Sequence, residues 1–264
     1  MEAKMMKEDN SEFIHTLWDE LADFDVARAD EALTHLMGRL CTLAGAWNIT
    51  WMGAVRLDAT FPDDPIKGWR PRVVHHLYPS PPLDDAVREQ MDKLEQGVVD
   101  VTTIRNVEGA GAFRANRLCD LVSPEWFELP YYRTYYQGVG TADSIWVAFP
   151  VNKDAESWFG IHRAPDHPHF AEAERDAVAY ALRGIKWFHR QLMLSHGLLV
   201  AVTPLTPAER RVLHLLLTGL SEKLIAAELD RSYHSTHECV TSIFRKFGVN
   251  NRASLMALWL GQVS

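Results

Sequence analysis

Apolar residues along the chain keep two different rhythms. Leu33, Leu36, Met37, Leu40 and Leu43 recur at steps of three and four, with Asp30 in front as a capping residue and Gly45 behind, which predicts a helix. The next stretch, WNITWMGAVRL, alternates instead: Trp47, Ile49, Trp51, Gly53, Val55 and Leu57 against Asn48, Thr50 and Arg56, the pattern of a strand with one wet face. A Pro- and Asp-rich loop from Phe61 to Gly68 precedes a second short strand over 72–77, and 83–96 reads as an amphipathic helix closed by Gly97. In SIWVAFPVNKDAESWFGIHR two strands flank the turn residues Asn152, Lys153 and Asp154, which predicts a hairpin. From Phe170 a long helix is expected, with Val178, Ala181, Ile185, Phe188 and Leu192 forming a seam that covers either the domain's own sheet or a partner helix.

Beyond residue 204 the helical rhythm returns in four short pieces. Thr206-Pro207-Ala208-Glu209 is a capping box with proline at the first helical position, followed by Val212, Leu213, Leu216 and Leu217 and stopped by Gly219. Ser221 caps a second helix with Leu224, Ile225 and Leu229 inward. Ser232 caps a third with Val240, Ile243, Phe244 and Phe247 inward before Gly248. Asn251 starts a fourth, carrying Leu255, Leu258 and Trp259. A tight break between the second and third helices makes a helix-turn-helix, whose later helix enters the DNA major groove.

Two resemblances follow. The tail resembles the LuxR-type DNA-binding domain at Leu205-Thr206, Glu209, Val212-Leu213, Gly219-Leu220-Ser221, Lys223, Ile225-Ala226, Leu229, Ser232, Ile243, Lys246, Gly248-Val249 and Arg252. The order of elements upstream does not give a βαβ repeat. With AFPVNKDAESWFGIHR leading into the acidic-start helix FAEAERDAVAYAL, it resembles a GAF-type sensor. The implied fold class is α+β: a GAF-like antiparallel sheet with flanking helices over residues 1–200, plus a separate all-α four-helix helix-turn-helix domain over 201–264, joined through HGLLVAVTP.

Charge supports the division. The whole chain has 27 basic and 35 acidic residues and a net −8, which argues against a general nucleic-acid coat. Residues 201–264 hold seven basic and five acidic side chains, a net +2, leaving −10 upstream. Cys41, Cys119 and Cys239 are scattered, form no CxxC pair, and are expected to be reduced and buried. The first ten residues run into no apolar core and no stretch suits a bilayer, so a cytoplasmic protein without membrane contact is expected.

For DNA contact the resemblance implies Lys223, Arg231, Ser232, Ser235, Thr236, His237, Thr241, Arg245 and Lys246. Within that set the chain departs from the family's usual Thr-Val-Lys, reading Ser235-Thr236-His237, with Cys239 where a histidine is usual. A mostly neutral imidazole in place of a fixed cation makes a weaker phosphate contact. Cys239, by its spacing, faces the bundle.

The chain holds nine tryptophans, and aromatic rings crowd SPEWFELPYYRTYYQG. Such residues suit a half-apolar ligand pocket, an ordinary core or a dimer surface. If a pocket exists, its wall is expected from Trp47, Trp51, Tyr131, Tyr135, Trp146 and Trp158. The Trp/Tyr/Asp spacing of acyl-homoserine-lactone receptors is not found, which counts against that signal. His75, His76, His162, His167 and His169 have no metal-ligand spacing and read as solvated loop residues. No GxSxG, Walker or HExxH pattern occurs, so no catalysis, metal or cofactor is expected.

The expected function is a homodimeric transcription regulator that binds double-stranded DNA and senses a small molecule or partner. The alternative is an interaction protein whose degenerate helix-turn-helix titrates other regulators without specific DNA reading.

Overall fold

The computed structural model describes residues 2–57, 63–199 and 204–261, with side chains from residue 10 onward. The expected domain boundary at 200/201, and most of the VAVT part of the link, lie outside the described residues. By its contacts the chain divides into two compact units, one of residues 1–21 with 34–186 and one of 22–33 with 187–264.

The first unit is built on an antiparallel sheet. In chain order it runs α1 (Glu2–Ala22), α2 (Ala29–Ala44, whose first turn belongs to the second unit), β1 (Asn48–Arg56), β2 (Trp69–His76), α3 (Pro81–Glu95), α4 (Val101–Glu108), β3 (Arg114–Arg117), α5 (Leu118–Leu121), α6 (Pro130–Tyr135), β4 (Asp143–Asn152), β5 (Ala155–Arg163) and α7 (Glu172–Arg183). The strands lie in the order β2-β1-β5-β4-β3, every neighbour antiparallel. The hairpin expected from the sequence is β4–β5, its turn tightened by Asn152, whose side-chain oxygen accepts from the Asp154 amide at 2.8 Å. Asp30 lies inside the first turn of α2, so it is not the cap; Asp25 caps the short 3-10 turn Val26–Arg28 that leads in.

Both faces of the sheet are covered. Ile49, Trp51, Ile145, Val147, Phe159 and Ile161 are each at most 1% exposed, and α7 packs across β3 and β4. Asn48 and Thr50, expected on a wet face, are buried too. The alternation was real, but helices cover its polar side. A bulge at Gly53/Ala54 shifts the β1–β2 register, and β2 begins at Trp69, three residues before the expected start.

The expected long helix after Phe170 is two helices, α7 and α8 (Lys186–Ser195), broken at Gly184-Ile185. Its cause is a residue far away in sequence. The Trp18 ring fills the space where a Cβ on Gly184 would stand 2.2 Å from it, and the Trp18 indole donates to the Ala181 carbonyl at 2.9 Å, capturing an acceptor near the end of α7. The seam residues Val178, Ala181, Ile185, Phe188 and Leu192 are each buried.

The second unit continues with α9 (Pro207–Leu217), α10 (Glu222–Glu228), α11 (Tyr233–Phe247) and α12 (Arg252–Trp259). Each starts where its cap was expected. Thr206 accepts from the Glu209 amide at 3.2 Å while Glu209 accepts from the Thr206 amide at 2.7 Å; Ser221, Ser232 and Asn251 accept from the amides of Leu224, Ser235 and Ser254. Gly248, at φ +66°, ends α11 in the left-handed region that favours glycine. Leu213, Leu216, Ile225, Val240, Ile243 and Leu255 form the buried centre. Leu224 is the exception among the expected core residues, 55% exposed, because Ile225 and Ala226 take the inward positions one step later.

Candidate functional site

Two features of the molecule carry recognition chemistry, a cavity in the first unit and the outer face of α10 and α11 in the second. The cavity has a volume of about 170 Å³ and lies between one face of the sheet and α3, α4 and α6. Side-chain alternation decides which strand residues reach it. Thr50 and Met52 on β1, Trp146 on β4, and Trp158 and His162 on β5 all line it, as the pairing of Thr50 with Gly160 and of Met52 with Trp158 requires. Trp47, just before β1, lines it as well.

Trp51 does not. Lying at the opposite parity on β1, it is buried on the other face, with its indole donating to Ser157 Oγ at 2.9 Å and its ring stacked on His75. Of the six aromatic residues expected in a pocket wall, the structure brings together Trp47, Tyr131, Tyr135, Trp146 and Trp158 and leaves Trp51 out.

The crowded aromatic stretch splits by helical spacing. Tyr131 and Tyr135, one turn apart on α6, stand beside each other with ring centroids 4.8 Å apart and face the cavity. Trp126, Phe127 and Tyr132 pack behind them in one buried cluster that also holds Tyr135 and Tyr136, where Trp126 donates to Asp100 at 3.1 Å and Tyr132 to the Ala142 carbonyl at 2.8 Å. Tyr131 Oη accepts from Gln90 of α3 at 3.3 Å, and Tyr135 Oη donates to Glu89 at 2.6 Å. Burial raises the titration points of Tyr131 and Tyr136, so both phenols stay protonated.

At the sheet end of the cavity sits a polar chain absent from the sequence expectations. His162 Nε2 and Thr50 Oγ1 are 2.8 Å apart, Thr50 Oγ1 and His76 Nδ1 are 2.8 Å apart, and His162 Nδ1 meets Ser144 Oγ at 2.9 Å. Burial drives the His162 imidazole down to about 3, so it is neutral at ordinary pH, and burial lowers His76 also. His75, His76 and His162 are therefore strand residues in packed surroundings; only His167 and His169 stay in the exposed loop where all five were expected. The signal for His162 was present: the alternation that points Trp158 at the cavity points Gly160 and His162 there too. Gly160 has a steric role, since a Cβ on it would meet the Trp146 ring at 2.7 Å. Among the described residues no group of three histidine, cysteine, aspartate or glutamate side chains is placed to hold a metal ion.

On the helix-turn-helix face, Lys223, Ser232, His237, Thr241 and Arg245 are exposed and Arg231 and Ser235 are half-buried. Two expected contact residues turn inward. Thr236 is fully buried, its hydroxyl donating to the Ser232 carbonyl at 3.1 Å, because it lies one turn before Val240 on the core face of α11. Lys246 reaches across to Glu209 Oε2 at 2.7 Å and the Pro204 carbonyl at 3.0 Å, tying α11 to the start of α9. Burial opposes the Glu209 charge, but hydrogen bonds from Lys246, Ser242 and the Thr206 amide outweigh it and hold the carboxylate below its usual range.

His237 Nδ1 lies 2.9 Å from Glu222 Oε2, so its proton-bearing face is directed to a carboxylate on α10. Tyr233, 58% exposed in the first turn of α11, stacks on His237 with centroids 6.1 Å apart and was missed in the sequence, although its place at the helix start marks it as a base-reaching position. Cys239 packs partly against the bundle core, with Arg231 Nη1 3.6 Å from its sulfur. Cys41 is half-buried, its thiol pushed up to about 11 by burial. Cys119, expected to be buried, is exposed, since α5 carries it on the side away from the buried Leu118 and Leu121.

The four-helix unit, with its capped, outward-facing α11, has the form of a helix-turn-helix domain. Residues 203–259 match the family described as bacterial regulatory proteins, luxR family, so this part of the chain is a LuxR-type DNA-binding domain.

Among solved structures, SdiA in complex with octanoyl-rac-glycerol is similar at 13% identity and a TM-score of 0.48, covering 95% of this chain and 93% of that one. Escherichia coli SdiA is similar at 14% and 0.46, covering 95% and 96%. The VqsR LBD domain from Pseudomonas aeruginosa is similar at 15% and 0.46, covering 68% and 96%. No curated protein matches the sequence. Among the described residues no helix is long and apolar enough to cross a membrane.

Proposed function

We propose that residues 1–200 sense a small molecule in the cavity between the sheet and α3, α4 and α6, and that residues 201–264 read double-stranded DNA as part of a cytoplasmic homodimer. The observation that carries the sensing half is the cavity itself, walled by the rings of Trp47, Tyr131, Tyr135, Trp146 and Trp158, with a few oriented polar groups at one end. Ligand pockets have this make-up: apolar area for affinity and sparse polar groups for orientation. The reading half draws on the LuxR-type match and the exposed first turn of α11. One reader makes too few base contacts for specific affinity, so two must pair on a two-fold site. Ligand binding would shift the packing of the closing helices α7 and α8 and thereby set the spacing of the two readers.

Native mass spectrometry of the purified full chain tests the sensing half, with a retained small molecule expected. Selection of bound genomic fragments tests the reading half, with a short palindrome expected. A chain that stays monomeric by light scattering with and without DNA defeats the dimer. The pairing of His237 with Glu222 and the inward use of Lys246 favour a second reading, an interaction protein that titrates other regulators. Sequence-blind DNA binding would select it.

A further inference from the structure

The outer face of α11 draws its positive charge from an uncommon source. Residues 232–244 hold neither lysine nor arginine, and Glu238 is their one carboxylate. The nearest fixed cations are engaged elsewhere: Arg231 Nη1 lies 3.6 Å from the Cys239 sulfur, and Lys246 is turned inward to Glu209 of α9. Arg245 is exposed, but two turns beyond His237. The first two turns of the helix carry two imidazoles instead, His234 with 82% and His237 with 57% of the side chain exposed.

Each imidazole stands beside a carboxylate. His234 Nε2 is 3.4 Å from Glu238 Oε1 one turn on, and His237 Nδ1 is 2.9 Å from Glu222 Oε2 of α10. Tyr233 stacks on the His237 ring with an interplanar angle of 14°. Lys223 and Glu228, the other charged side chains of α10, are exposed.

Ring chemistry makes this arrangement sensitive to a proton. A neutral imidazole has one N–H and one acceptor nitrogen, and an ionised carboxylate only accepts. Nδ1 of His237 therefore donates to Glu222, which makes Nε2 of the neutral ring an acceptor. A phosphate oxygen, itself an acceptor, finds no donor there. A second proton converts Nε2 into a charged donor. The same holds for Nδ1 of His234 while Nε2 serves Glu238. Charge changes in step, since each pair carries one negative charge with its ring neutral and none with its ring protonated. Imidazole is the side chain that makes this change between about pH 5 and 8.

We propose that DNA binding by α11 is proton-linked: His237 and His234 each take up a proton as phosphates approach, with Glu222 and Glu238 holding the rings, and the protonated rings are phosphate donors of this face. A polyanion favours the protonated rings, so by reciprocity protonation favours binding, and affinity rises as pH falls through the imidazole range. Below about pH 5 the free protein already holds both protons and the dependence ends. This rests on residues 201–264 reading double-stranded DNA.

The test uses the full-length protein and a mixed-sequence duplex of about 30 base pairs, because non-specific binding is electrostatic. Anisotropy of the labelled duplex at equal salt should show binding about tenfold or more tighter at about pH 6 than at about pH 8. Calorimetry near neutral pH in Pipes and in imidazole buffer, which differ in heat of ionisation, should show about one proton taken up per reader. His234→Gln combined with His237→Gln should remove most of both effects. Glu222→Gln should move the rise in affinity to lower pH, since the protonated ring loses its carboxylate.

Equal affinity at both pH values with no proton taken up overturns the linkage and leaves DNA reading standing. A pH dependence that survives intact in the doubly substituted chain assigns the protons to other groups and overturns it as well. A duplex that binds at neither pH brings down the DNA-reading proposal itself. Loss of folding gives the opposite sign, because protonation of the buried His162 weakens the fold as pH falls and affinity would drop rather than rise. The proton count is read in the unmodified chain, so a variant that folds poorly does not remove the test.

Discussion

Carboxylates buried in the first unit pair with arginines, and those on the outer face of the second pair with histidines in solvent. Arg114 and Glu156 meet at 2.8 Å with side chains 10% and 0% exposed, and Arg70 meets Asp64 at 1% and 3%. On α11, His237 meets Glu222 with 57% and 27% of the side chains exposed, and His234 meets Glu238 at 82% and 66%. A buried pair cannot lose one member without stranding the other charge away from water, whereas an exposed pair exchanges its partner for solvent or a phosphate at little cost. Pairs of the first kind hold the cavity wall in place, and pairs of the second set the charge on the outer face of α11.

Glu156→Gln gives the largest effect. Glu156 accepts both Arg114 bonds and the Gly111 amide at 2.8 Å, and the Arg114 guanidinium lies 4.7 Å above the Trp158 ring, so the pair backs the cavity wall. Replacing the carboxylate leaves Arg114 buried and uncompensated, and about 3–5 kcal/mol of stability should be lost, read as a drop in the urea midpoint. A loss within 1 kcal/mol, as surface pairs show, would erase the contrast between the two regions.

His162 gives the next effect, through pH. Its folded-state value lies near 3, below the ordinary imidazole, so the unfolded chain takes up a proton that the folded chain refuses. This contribution to stability is fully present above about pH 6.5 and is lost as pH falls, at about 1.4 kcal/mol per pH unit until the folded value is reached. At pH 5 the loss should be about 2 kcal/mol relative to pH 7, and His162→Gln should flatten that part of the curve. An unchanged slope in the variant would show that another group is responsible.

Lys246 sits on α11, yet by its surroundings belongs with the buried class. With 17% of its side chain exposed and Glu209 at 8%, Lys246→Ala should cost about 2 kcal/mol in thermal unfolding and leave the salt dependence of DNA binding unaltered. A fall of about 0.9 in the log–log salt slope would instead return Lys246 to the phosphate contacts.

Local chemistry explains which features were legible in the sequence. The helix caps Thr206, Ser221, Ser232 and Asn251 act within three residues, and the β4–β5 hairpin closes on its own turn, so each could be read from its neighbours. The break at Gly184 depends on Trp18, and the inward turn of Lys246 depends on Glu209, 37 residues away. The polar side of β1 looked wet because the helices that cover it, α3, α4 and α6, are not its neighbours in the chain. Trp51 shows the same limit: its size suggested a pocket, and parity on the strand sent it to the opposite face.

The smallest expected effect bears most directly on DNA. His237 spends its proton-bearing edge on Glu222, so α11 offers phosphate little from this position, and Glu238 adds an exposed negative charge one residue further on. A lysine at 237 carries a fixed charge on a longer stem, which is able to reach past Glu222 toward the backbone. His237→Lys should therefore raise affinity only a few-fold near physiological salt while steepening the log–log salt slope by about 0.9, the signature of one added phosphate neutralised. Glu222→Gln should give part of the affinity gain without a full unit of slope, since it removes a competing negative charge and adds no cation. If both substitutions leave affinity and slope unchanged, position 237 lies outside the DNA interface, and the exposed pairs of α11 lose the tuning role that sets them apart from the buried pairs of the cavity wall.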